Sequence, residues 1–325
     1  MRAIAEAHPN IALVKYWGKR DPRRNVPAVG SLSITLDALH SRTEVVFDDA
    51  LDADEIVIGG VVEEVAGRRI ADCLDSFRRL TRRRQHARVE TASNFPVAAG
   101  LASSASGFAA LVVAADAAAD TSLPREALAR LAGAASGSAA RSLYGGFVRL
   151  DVPGPGQHEI SLRPLAEPDD WPLEVVIAVT DAGPKPVGST QAMLSSEATS
   201  PYYDAWVEGQ PADLDEAETA VRRRDFERLA AVAEYSCLKM HALTLSSQPG
   251  IVYWKPATVA CLHTVRELRA AGTGTFFTVD AGPQVKAVCL PGESAEVAAA
   301  LGELPGVLEV LRTGLGDIPD VVESA

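Results

Sequence analysis

The sequence predicts an α+β protein with two domains. A chain of 325 residues exceeds the size of most single domains and can bury a large core. Each half contains short apolar runs that are typical of buried strands, and these are followed by longer runs with helical character. Strands that are followed by helices in this way favour layers of sheet and helix over a doubly wound parallel sheet.

The first half contains short strand-like runs and two Ala-rich helical runs. The predicted strands span residues 11–14, 33–36, 43–47, 56–58, 88–91 and 145–151. The Ala-rich runs at 108–119 and 125–135 predict helices, and the turn residues between them place Pro124 in the first turn of the second helix. A Pro/Gly-rich stretch at 152–157 precedes a buried strand at 173–179.

The second half is richer in helix. Helical patterns cover residues 214–245, 257–271 and 294–301, and apolar strands at 275–279 and 285–290 flank a turn. We expect a change of domain between residues 180 and 190. This expectation divides the chain into an N-terminal domain of residues 1–185 and a C-terminal domain of residues 186–325.

Charge and composition exclude several classes of protein. Hydrophobic residues make up 47% of the chain, which is typical of a globular protein rather than a disordered one. The chain has 31 Lys and Arg against 43 Asp and Glu, and this formal charge of −12 argues against nucleic acid or an anionic membrane as a partner. An anionic ligand therefore needs a local basic pocket.

The cysteines and the N-terminal segment indicate the compartment. Cys73, Cys237, Cys261 and Cys289 lie far apart without a C-x-x-C pair, so neither a zinc site nor a disulfide framework is expected. The N-terminal segment lacks the apolar core and cleavage site of a signal peptide, and no uncharged apolar run reaches the ~18 residues of a membrane span. We therefore expect a cytoplasmic protein.

The segment 94–111, NFPVAAGLASSASGFAAL, joins a Gly/Ser-rich turn to an Ala-rich helical run. Its small residues let a polyphosphate approach the backbone, and the amides of a helix N-terminus point toward the anion. The segment is interpreted as a phosphate-binding loop, although it matches neither G-x-x-x-x-G-K-[ST] nor G-x-G-x-x-G. The alternative is a small-residue helix packed tightly in a core.

A second cluster follows a short apolar strand, in NIALVKYWGK at 10–19. Lys15 and Lys19 can point toward one place, and Tyr16 and Trp17 can form a rigid wall beside them. Lysine carries a compact charge that suits a phosphate, so the cluster is interpreted as a site for an anionic substrate. The alternative is a strand end with a solvated basic face.

A third cluster lies in AASGSAARSLYGG at 134–146, where Ser136, Ser138 and Arg141 have the spacing of a helix start. An arginine among small hydroxyl residues has little else to pair with, and it can hold a carboxylate or phosphate through two parallel hydrogen bonds. The alternative is a helix cap with a surface arginine.

The tetrapeptide Asp-Ala-Gly-Pro occurs twice, beginning at Asp181 and at Asp280. Either copy can be a simple turn, since Asp, Gly and Pro are common turn residues. The second copy follows an apolar run at 272–279, which leaves Asp280 at a confined strand end. A carboxylate there can accept a proton from a substrate hydroxyl, so chemistry favours Asp280 over Asp181.

Together these blocks resemble the mevalonate diphosphate decarboxylases of the GHMP superfamily, which also contains galactokinase, homoserine kinase, mevalonate kinase and phosphomevalonate kinase. The resemblance runs from residue 7 to residue 286. It rests on seven blocks in family order, namely NIALVKYWGKRD, SLSITLD, NFPVAAGLASSASGFAAL, SGSAARSLYGGF, VGSTQAM, MHALTLSSQPGIVYW and FFTVDAGPQVK. The resemblance implies a two-domain GHMP-kinase-like fold with the active site in the cleft between the domains.

The resemblance also implies an activity. This is the conversion of mevalonate 5-diphosphate and ATP, with Mg²⁺, to isopentenyl diphosphate, ADP, phosphate and carbon dioxide by a homodimer. Asp280 would orient or deprotonate the 3-hydroxyl, Arg141 would bind the substrate carboxylate, and Lys15 would lie near the reacting phosphoryl group. The implied substrate contacts are Tyr16, Lys19, Ser136, Ser138 and Arg141. The implied ATP contacts are Asn94, Ala98, Ala99, Gly100, Leu101, Ala102, Ser103, Ser104, Ser106 and Ser189, with Ser104 also reaching Mg²⁺.

The chain departs from the family pattern at a few positions. Gly188 and Val97 stand where many relatives have serine and threonine, and Gln248-Pro-Gly250 replaces a frequent double proline. These departures affect how the protein closes around the nucleotide phosphates, and they do not affect the implied reaction. Three other functions stay open: decarboxylation of mevalonate 5-phosphate, 3-phosphorylation without decarboxylation, and ligand sensing without catalysis. The joint presence of Asp280, Arg141 and Lys15 argues against a sensor.

Overall fold

The computed structural model describes residues 1–62, 64–95, 103–154 and 159–324. The strands of the N-terminal part are β1 (Arg2–Ala7), β2 (Asn10–Val14), β3 (Lys19–Asp21), β4 (Val26–Pro27), β5 (Ser31–Thr35), β6 (Ser41–Asp48), β7 (Glu55–Ile58), β8 (His86–Ser93), β9 (Phe147–Asp151) and β10 (Ser161–Ala166). Its helices are α1 (Glu64–Thr81), α2 (Ser103–Ala119) and α3 (Arg125–Ala135), with short 3-10 helices at Ala139–Leu143 and Pro168–Asp170.

The C-terminal part contains longer helices, a sheet of four strands, and a last strand that pairs with β1. Its helices are α4 (Ser189–Thr199), α5 (Tyr203–Arg223), α6 (Phe226–Leu245), α7 (Pro256–Ala271) and α8 (Ser294–Gly302). Its strands are β11 (Glu174–Val179), β12 (Thr275–Val279), β13 (Val285–Cys289), β14 (Glu309–Thr313) and β15 (Asp320–Ser324).

The described strands form three larger sheets and one short strand pair. Their orders are β15-β1-β6-β8-β7, β10-β9-β5-β2 and β12-β13-β11-β14, and β3 pairs with β4. Of the described pairs, β7 with β8 is parallel and the rest are antiparallel. Antiparallel sheets covered by helices confirm the predicted α+β class.

Helix α2 lies at the centre of the N-terminal core. Most of its buried side chains are alanines, which let the helix pack closely against β1 and β6 on one side and against α1 and α3 on the other. The body of α2 is therefore the tightly packed small-residue helix that was the alternative for this segment. Its first turn, however, opens onto a cavity, because Ser103 and Ser104 line it.

Helix α6 links the two halves of the molecule. It packs against β2 of the second sheet and against β12 of the third. Aliphatic and aromatic side chains from both sheets share one core with α5 and α6. The ends of β2 and β12 are therefore held close together, and both ends carry predicted site residues.

Two strands pair away from their neighbours in sequence. Strand β11 pairs with β13 and β14, whereas β15, at the end of the described chain, pairs with β1. Because β15 pairs with β1, the end of the described chain is joined to the first sheet, and the two halves of the chain are coupled. The domain boundary at residue 185 stays a prediction.

The structure corrects three details of the predicted elements. The helical pattern at 214–245 is two helices, because Arg224 has a left-handed backbone (φ 54°) and the Asp225 side chain caps α6 by accepting from the Arg228 amide at 3.1 Å. Pro124 is the N-cap of α3 rather than a residue of its first turn. Helices α1 and α4 were not predicted, because neither segment has an Ala-rich run.

In the described ranges, no helix is both long enough and apolar enough to cross a membrane. Cys73, Cys237, Cys261 and Cys289 are buried free thiols.

Candidate active site

A cavity of about 890 Å³ opens between the N-terminal layers and the segments that follow β11 and β12. Its described lining carries six cationic side chains, which are Lys15, Lys19, Arg23, Arg69, Arg141 and Lys185. Asp280 is the single carboxylate among the described lining residues. A cationic cavity in a chain with a formal charge of −12 suits a strongly anionic ligand.

Asp280 and Lys15 meet at the ends of two strands. Lys15 directly follows β2, Asp280 directly follows β12, and Lys15 Nζ donates to Oδ1 of Asp280 at 2.6 Å. The lysine side chain is 1% exposed, whereas that of Asp280 is 24% exposed and lines the cavity. The structure thus brings together two of the predicted catalytic residues.

A second ammonium group reaches the same carboxylate. Lys286 on β13 is 1% exposed and places Nζ 3.2 Å from Oδ2 of Asp280. Burial alone would raise the pKa of Asp280, but Lys15 and Lys286 outweigh burial and hold the pKa of this carboxyl well below its usual range. Asp280 is therefore ionised at neutral pH.

Arg141 is a buried cation with neutral partners. It lies in the 3-10 helix at Ala139–Leu143 and is 2% exposed. Its Nε donates to Oδ1 of Asn10 at 3.1 Å, and Nη1 donates to Oγ of Ser31 at 2.8 Å. Burial lowers the pKa of Arg141 to about 10, so the guanidinium stays charged at neutral pH. A buried charge with neutral partners is stabilised when an anionic ligand binds.

Tyr16 packs beside Arg141, with the guanidinium carbon 5.8 Å from the centroid of its ring. Its hydroxyl is buried without a hydrogen-bond partner among the described residues, and burial raises the pKa of Tyr16 to about 12. Gly137 leaves room for the ring, since a Cβ at this position would lie 2.6 Å from the Tyr16 oxygen. The protonated hydroxyl is available to donate to a ligand.

Lys19 and Arg69 form a second cationic pair in the cavity. Lys19 begins β3, is 8% exposed, and donates to Oγ1 of Thr190 at 3.3 Å. Arg69 on α1 donates to the carbonyl of Ala135 at 2.9 Å. Burial and the neighbouring Arg69 lower the pKa of Lys19. Two cations that repel each other are suited to sharing one multiply charged anion.

The predicted serines lie at two edges of the cavity. Ser104, in the first turn of α2, lies 3.2 Å from Ser136 between their Oγ atoms, and Ser136 lies 3.5 Å from Ser138. On another edge, Ser189 begins α4 and accepts a hydrogen bond from Lys185 Nζ at 2.8 Å. These hydroxyl groups, with the N-terminus of α2, offer donors for phosphate oxygens.

Two predicted ATP contacts lie away from the described cavity lining, and others are not described. The Asn94 side chain accepts from the His40 amide at 2.8 Å and donates to a carbonyl at 2.9 Å. The Ser106 hydroxyl lies 2.7 Å from that of Ser41 and is fully buried. These contacts hold the surrounding backbone rather than face the cavity. Residues 98–102 lie outside the described residues.

The structure separates the two copies of Asp-Ala-Gly-Pro. Asp181 accepts from the Gly183 amide at 2.8 Å and pairs with Lys255 Nζ at 3.1 Å. It is absent from the described cavity lining, whereas Asp280 is part of it. The first copy is therefore a turn, and the second carries the site carboxylate.

Comparison with known proteins agrees with this arrangement. Residues 7–159 match the diphosphomevalonate decarboxylase-like N-terminal domain, and residues 175–308 match the mevalonate 5-diphosphate decarboxylase C-terminal domain. The human diphosphomevalonate decarboxylase is 36% identical over 90% of this chain and 78% of the human one. The chain belongs to the diphosphomevalonate decarboxylase family. A family relative from Haloferax volcanii, named phosphomevalonate decarboxylase, is 34% identical over 88% of this chain and 87% of its own.

Solved structures of the decarboxylase family share the whole fold. The Staphylococcus aureus mevalonate diphosphate decarboxylase has a TM-score of 0.93 and 34% identity, covering 99% of this chain and 98% of its own. A complex with MVAPP, AMPPCP and magnesium has a TM-score of 0.91 and 33% identity, covering 100% of this chain and 99% of its own. These matches confirm the predicted two-domain GHMP-kinase-like fold.

Sequence reasoning missed several charged or polar residues of this decarboxylase-family site. They are Asn10, Arg69, Lys185, Thr190 and Lys286. Asn10 and Lys286 lie inside blocks that carry the family resemblance, and membership in these blocks was the signal that could have identified them. Thr190 also lies inside such a block, VGSTQAM, whereas Arg69 belongs to helix α1, whose position relative to the other elements no local pattern indicates.

Proposed function

We propose that this chain catalyses the ATP-dependent decarboxylation of mevalonate 5-diphosphate to isopentenyl diphosphate. The observation that carries the proposal is the position of one ionised carboxylate, Asp280, among cations in a cavity that also contains Arg141. Arg141 has neutral partners and Asp280 is already paired with lysines, so the two groups have different tasks. Arg141 attracts an anion, and Asp280 accepts a hydrogen bond from a neutral hydroxyl.

The first step is transfer of a phosphoryl group to the tertiary 3-hydroxyl. The hydroxyl oxygen forms a bond to the γ-phosphorus of ATP, the bond from that phosphorus to the bridging oxygen breaks, and ADP leaves. Asp280 orients the hydroxyl and takes its proton. Because the pKa of Asp280 is low, the proton moves late, after most of the oxygen–phosphorus bond has formed. Lys15, beside Asp280, neutralises charge on the transferred group.

The second step breaks the carbon–carbon bond. The electron pair between the carboxylate carbon and C2 forms the C2–C3 double bond, carbon dioxide is released, and the phosphate on C3 departs with the carbon–oxygen electron pair. Arg141 holds the substrate carboxylate through this step. Its rigid hydrogen bonds to Asn10 and Ser31 fix the guanidinium in one orientation, which favours a single reactive geometry.

A second group of cations and donors in the cavity would bind the diphosphate. Lys19 and Arg69 supply charge, and the Tyr16 hydroxyl, which has no hydrogen-bond partner among the described residues, supplies a donor. Ser136 and Ser138 line the same cavity. A diphosphate offers enough acceptor oxygens to satisfy these groups together.

ATP would bind with its phosphates at the start of α2, near Ser103 and Ser104, with Ser189 and Lys185 on the opposite edge. The described residues contain no group of three or more His, Cys, Asp or Glu that could hold a metal ion. The nucleotide phosphates would carry the Mg²⁺ ion, and the Ser104 hydroxyl would be its protein ligand, since hydroxyl and phosphate oxygens suit Mg²⁺. Mg²⁺ supplies charge neutralisation to phosphoryl transfer.

A second candidate substrate is mevalonate 5-phosphate. The Haloferax volcanii relative supports it, since its similarity to this chain is close to that of the human enzyme. The number of cations and donors around Lys19 favours the diphosphate. The deciding assay supplies ATP, Mg²⁺ and either substrate, and measures ADP and carbon dioxide together. We expect equal amounts of both products and a higher kcat/KM with the diphosphate. ADP without carbon dioxide would contradict decarboxylation.

Three broader proposals accompany the activity. The division of the chain into two domains is supported by two separate family matches, to residues 7–159 and 175–308, whereas the boundary near residue 185 rests on the sequence pattern. A cytoplasmic location is supported by the four free thiols, which a reducing compartment preserves. A homodimer is supported by resemblance to the family, and light scattering of the purified protein tests it.

A further inference from the structure

Lys286 contacts Asp280, the proposed catalytic carboxylate, from the side that faces away from the cavity. Its side chain is 1% exposed and is absent from the described cavity lining, unlike Lys15 and Asp280. It therefore has no direct path to a substrate in the cavity. Its Nζ nevertheless lies 3.2 Å from Oδ2 of Asp280, while Lys15 Nζ lies 2.6 Å from Oδ1.

The strand register explains how Lys286 reaches this position. Strands β12 and β13 are antiparallel, with Thr278 directly opposite Lys286. Opposite residues of such a pair place their side chains on one face, and residues two apart on a strand share that face. Asp280, two residues beyond Thr278, therefore lies on the same face as Lys286. Thr278 itself donates to the Ala12 carbonyl on β2 at 3.3 Å, so this face points toward β2 and Lys15.

We propose that Lys286 is a positioning residue for the proposed reaction. Together with Lys15 it holds both oxygens of Asp280 and keeps the carboxylate fixed in one orientation as an ionised hydrogen-bond acceptor. The inference rests on the proposed function, because it assigns Lys286 a task through Asp280. It differs from a purely structural role, since an ordinary buried ion pair does not control the proton affinity of a reacting group.

The other groups that face Asp280 are cationic or neutral. Lys185 and Arg141 are the cations, and His241 and Cys237 are the neutral groups, that interact electrostatically with Asp280 in addition to Lys15 and Lys286. Burial lowers the pKa of His241 to about 3, so this histidine is neutral, and burial raises the pKa of the Cys237 thiol. Loss of Lys286 would thus remove one of the two ammonium groups in contact with the carboxylate while leaving Lys15 in place.

The test compares Lys286→Met with a matched control, Lys255→Met. Lys255 pairs at 3.1 Å with Asp181 of the first Asp-Ala-Gly-Pro copy, away from the described cavity lining. In Lys286→Met we expect kcat at neutral pH to fall by roughly tenfold or more, because a fixed reactive geometry is lost. The dissociation constant for ATP should stay within about twofold, since Lys286 does not reach the cavity. Lys255→Met should keep the wild-type kcat.

A second readout does not depend on turnover. Selective ¹³C labelling of aspartate carboxyls follows the titration of Asp280, whose signal is identified by its loss in Asp280→Asn. We expect the midpoint of this titration to rise by at least about one pH unit in Lys286→Met, as removal of a contacting ammonium group requires. A wild-type protein that releases no carbon dioxide would overturn the proposed function, yet the titration would still test the contact between Lys286 and Asp280.

Two results would overturn the role of Lys286. One is an unchanged Asp280 midpoint in Lys286→Met, and the other is a kcat no lower than that of Lys255→Met. If Lys286→Met does not fold, Lys286→Arg and Lys286→Gln replace it. The charged variant should then keep the wild-type midpoint and the neutral one should raise it, and equal midpoints in both would contradict the proposal.

Discussion

Lys15 and Asp280 are 265 positions apart in the chain, yet Nζ of Lys15 donates to Oδ1 of Asp280 at 2.6 Å. Both residues lie immediately beyond the last residue of a strand, and α6 packs against both of these strands. Their contact is therefore built by the packing of the two halves rather than by any local segment. A carboxylate placed in this way is ionised and partly open to the cavity, which suits an acceptor for a substrate hydroxyl.

The first prediction concerns the two Asp-Ala-Gly-Pro copies. Asp280→Asn should lower kcat by ~10²–10⁴-fold, because the amide cannot accept the hydroxyl proton. Asp181→Asn is the matched control and should change kcat far less, since Asp181 forms a turn and pairs with Lys255. Steady-state rates with both variants check this. Equal losses would show that Asp280 has no special role.

Asp280→Asn should also lower the thermal midpoint of unfolding. The substitution leaves two buried lysines, Lys15 and Lys286, without their shared counter-ion. Circular dichroism below the new midpoint should still show the wild-type spectrum, so that the loss of kcat is measured on folded protein.

A second prediction concerns Arg141. Arg141→Gln should abolish the charge-assisted contact to the substrate carboxylate, worth about 1.5–3 kcal/mol or more when buried. Turnover should collapse while the dissociation constant for ATP changes little. Arg42→Gln, which removes a surface ion pair with Glu6, is the control and should leave both values unchanged. A titration in which Arg141→Gln mainly weakens ATP binding would reassign the residue to the nucleotide.

These two residues show how much of the site the sequence could predict. Asp280 and Arg141 stand out locally, one after an apolar strand and the other among small hydroxyl residues, so residue chemistry suggested roles for both. Lys286 did not stand out, because its contact with Asp280 depends on the register in which Thr278 opposes Lys286. A one-residue slip of that register would turn Lys286 to the opposite face of the sheet.

The fold was predictable to a similar extent. Long apolar or Ala-rich patterns predicted α2, α3, α7 and the strands β12 and β13. The pairing of β15 with β1 was not predictable, because every residue of β15 is exposed and its sequence therefore carries no burial pattern. The break between α5 and α6 depends on the left-handed conformation of Arg224, which its residue type does not indicate.

A third prediction concerns pH and the packing of α5 on the second sheet. Glu218 on α5 pairs with Arg149 at 2.8 Å and with Arg163 at 2.9 Å, and Arg222 lies 2.8 Å from its other oxygen. Burial alone would raise the pKa of Glu218, but the arginines lower it to about 2. A carboxylate with a lowered folded-state pKa stabilises the fold above its unfolded pKa, and this stabilisation is lost as pH falls toward the folded value.

Glu218→Gln should therefore be less stable than wild type at pH 7, and the difference should shrink as pH falls from about 4.5 toward 2. Urea unfolding at several pH values measures it. Glu208→Gln, at an exposed position on the same helix, is the control and should show a smaller difference at pH 7. A difference that stays constant or grows between pH 5 and pH 3 would contradict the ionic origin.

The last prediction separates the two candidate substrates. Tyr16, Lys19, Ser136 and Ser138 line one cavity and offer more donors and charge than a single phosphate with a nearby carboxylate requires. Each buried donor left without a partner costs about 1–3 kcal/mol, so removal of the terminal phosphate should lower kcat/KM by at least ~10-fold. Lys19 has no carboxylate partner among its described contacts, and it donates weakly to Thr190 at 3.3 Å.

Lys19→Ala should therefore reduce the preference for the diphosphate over the monophosphate, because it should lower kcat/KM for the diphosphate more than for the monophosphate. The measurement is kcat/KM for both substrates with wild type and Lys19→Ala, with Lys239→Ala as a control. Lys239 pairs with Asp213 away from the described cavity lining and should leave the ratio unchanged. An equal loss with both substrates in Lys19→Ala would place Lys19 at a shared part of the substrate. A wild-type preference for the monophosphate would transfer the assignment to phosphomevalonate decarboxylation, since the extra donors would then have no phosphate to bind.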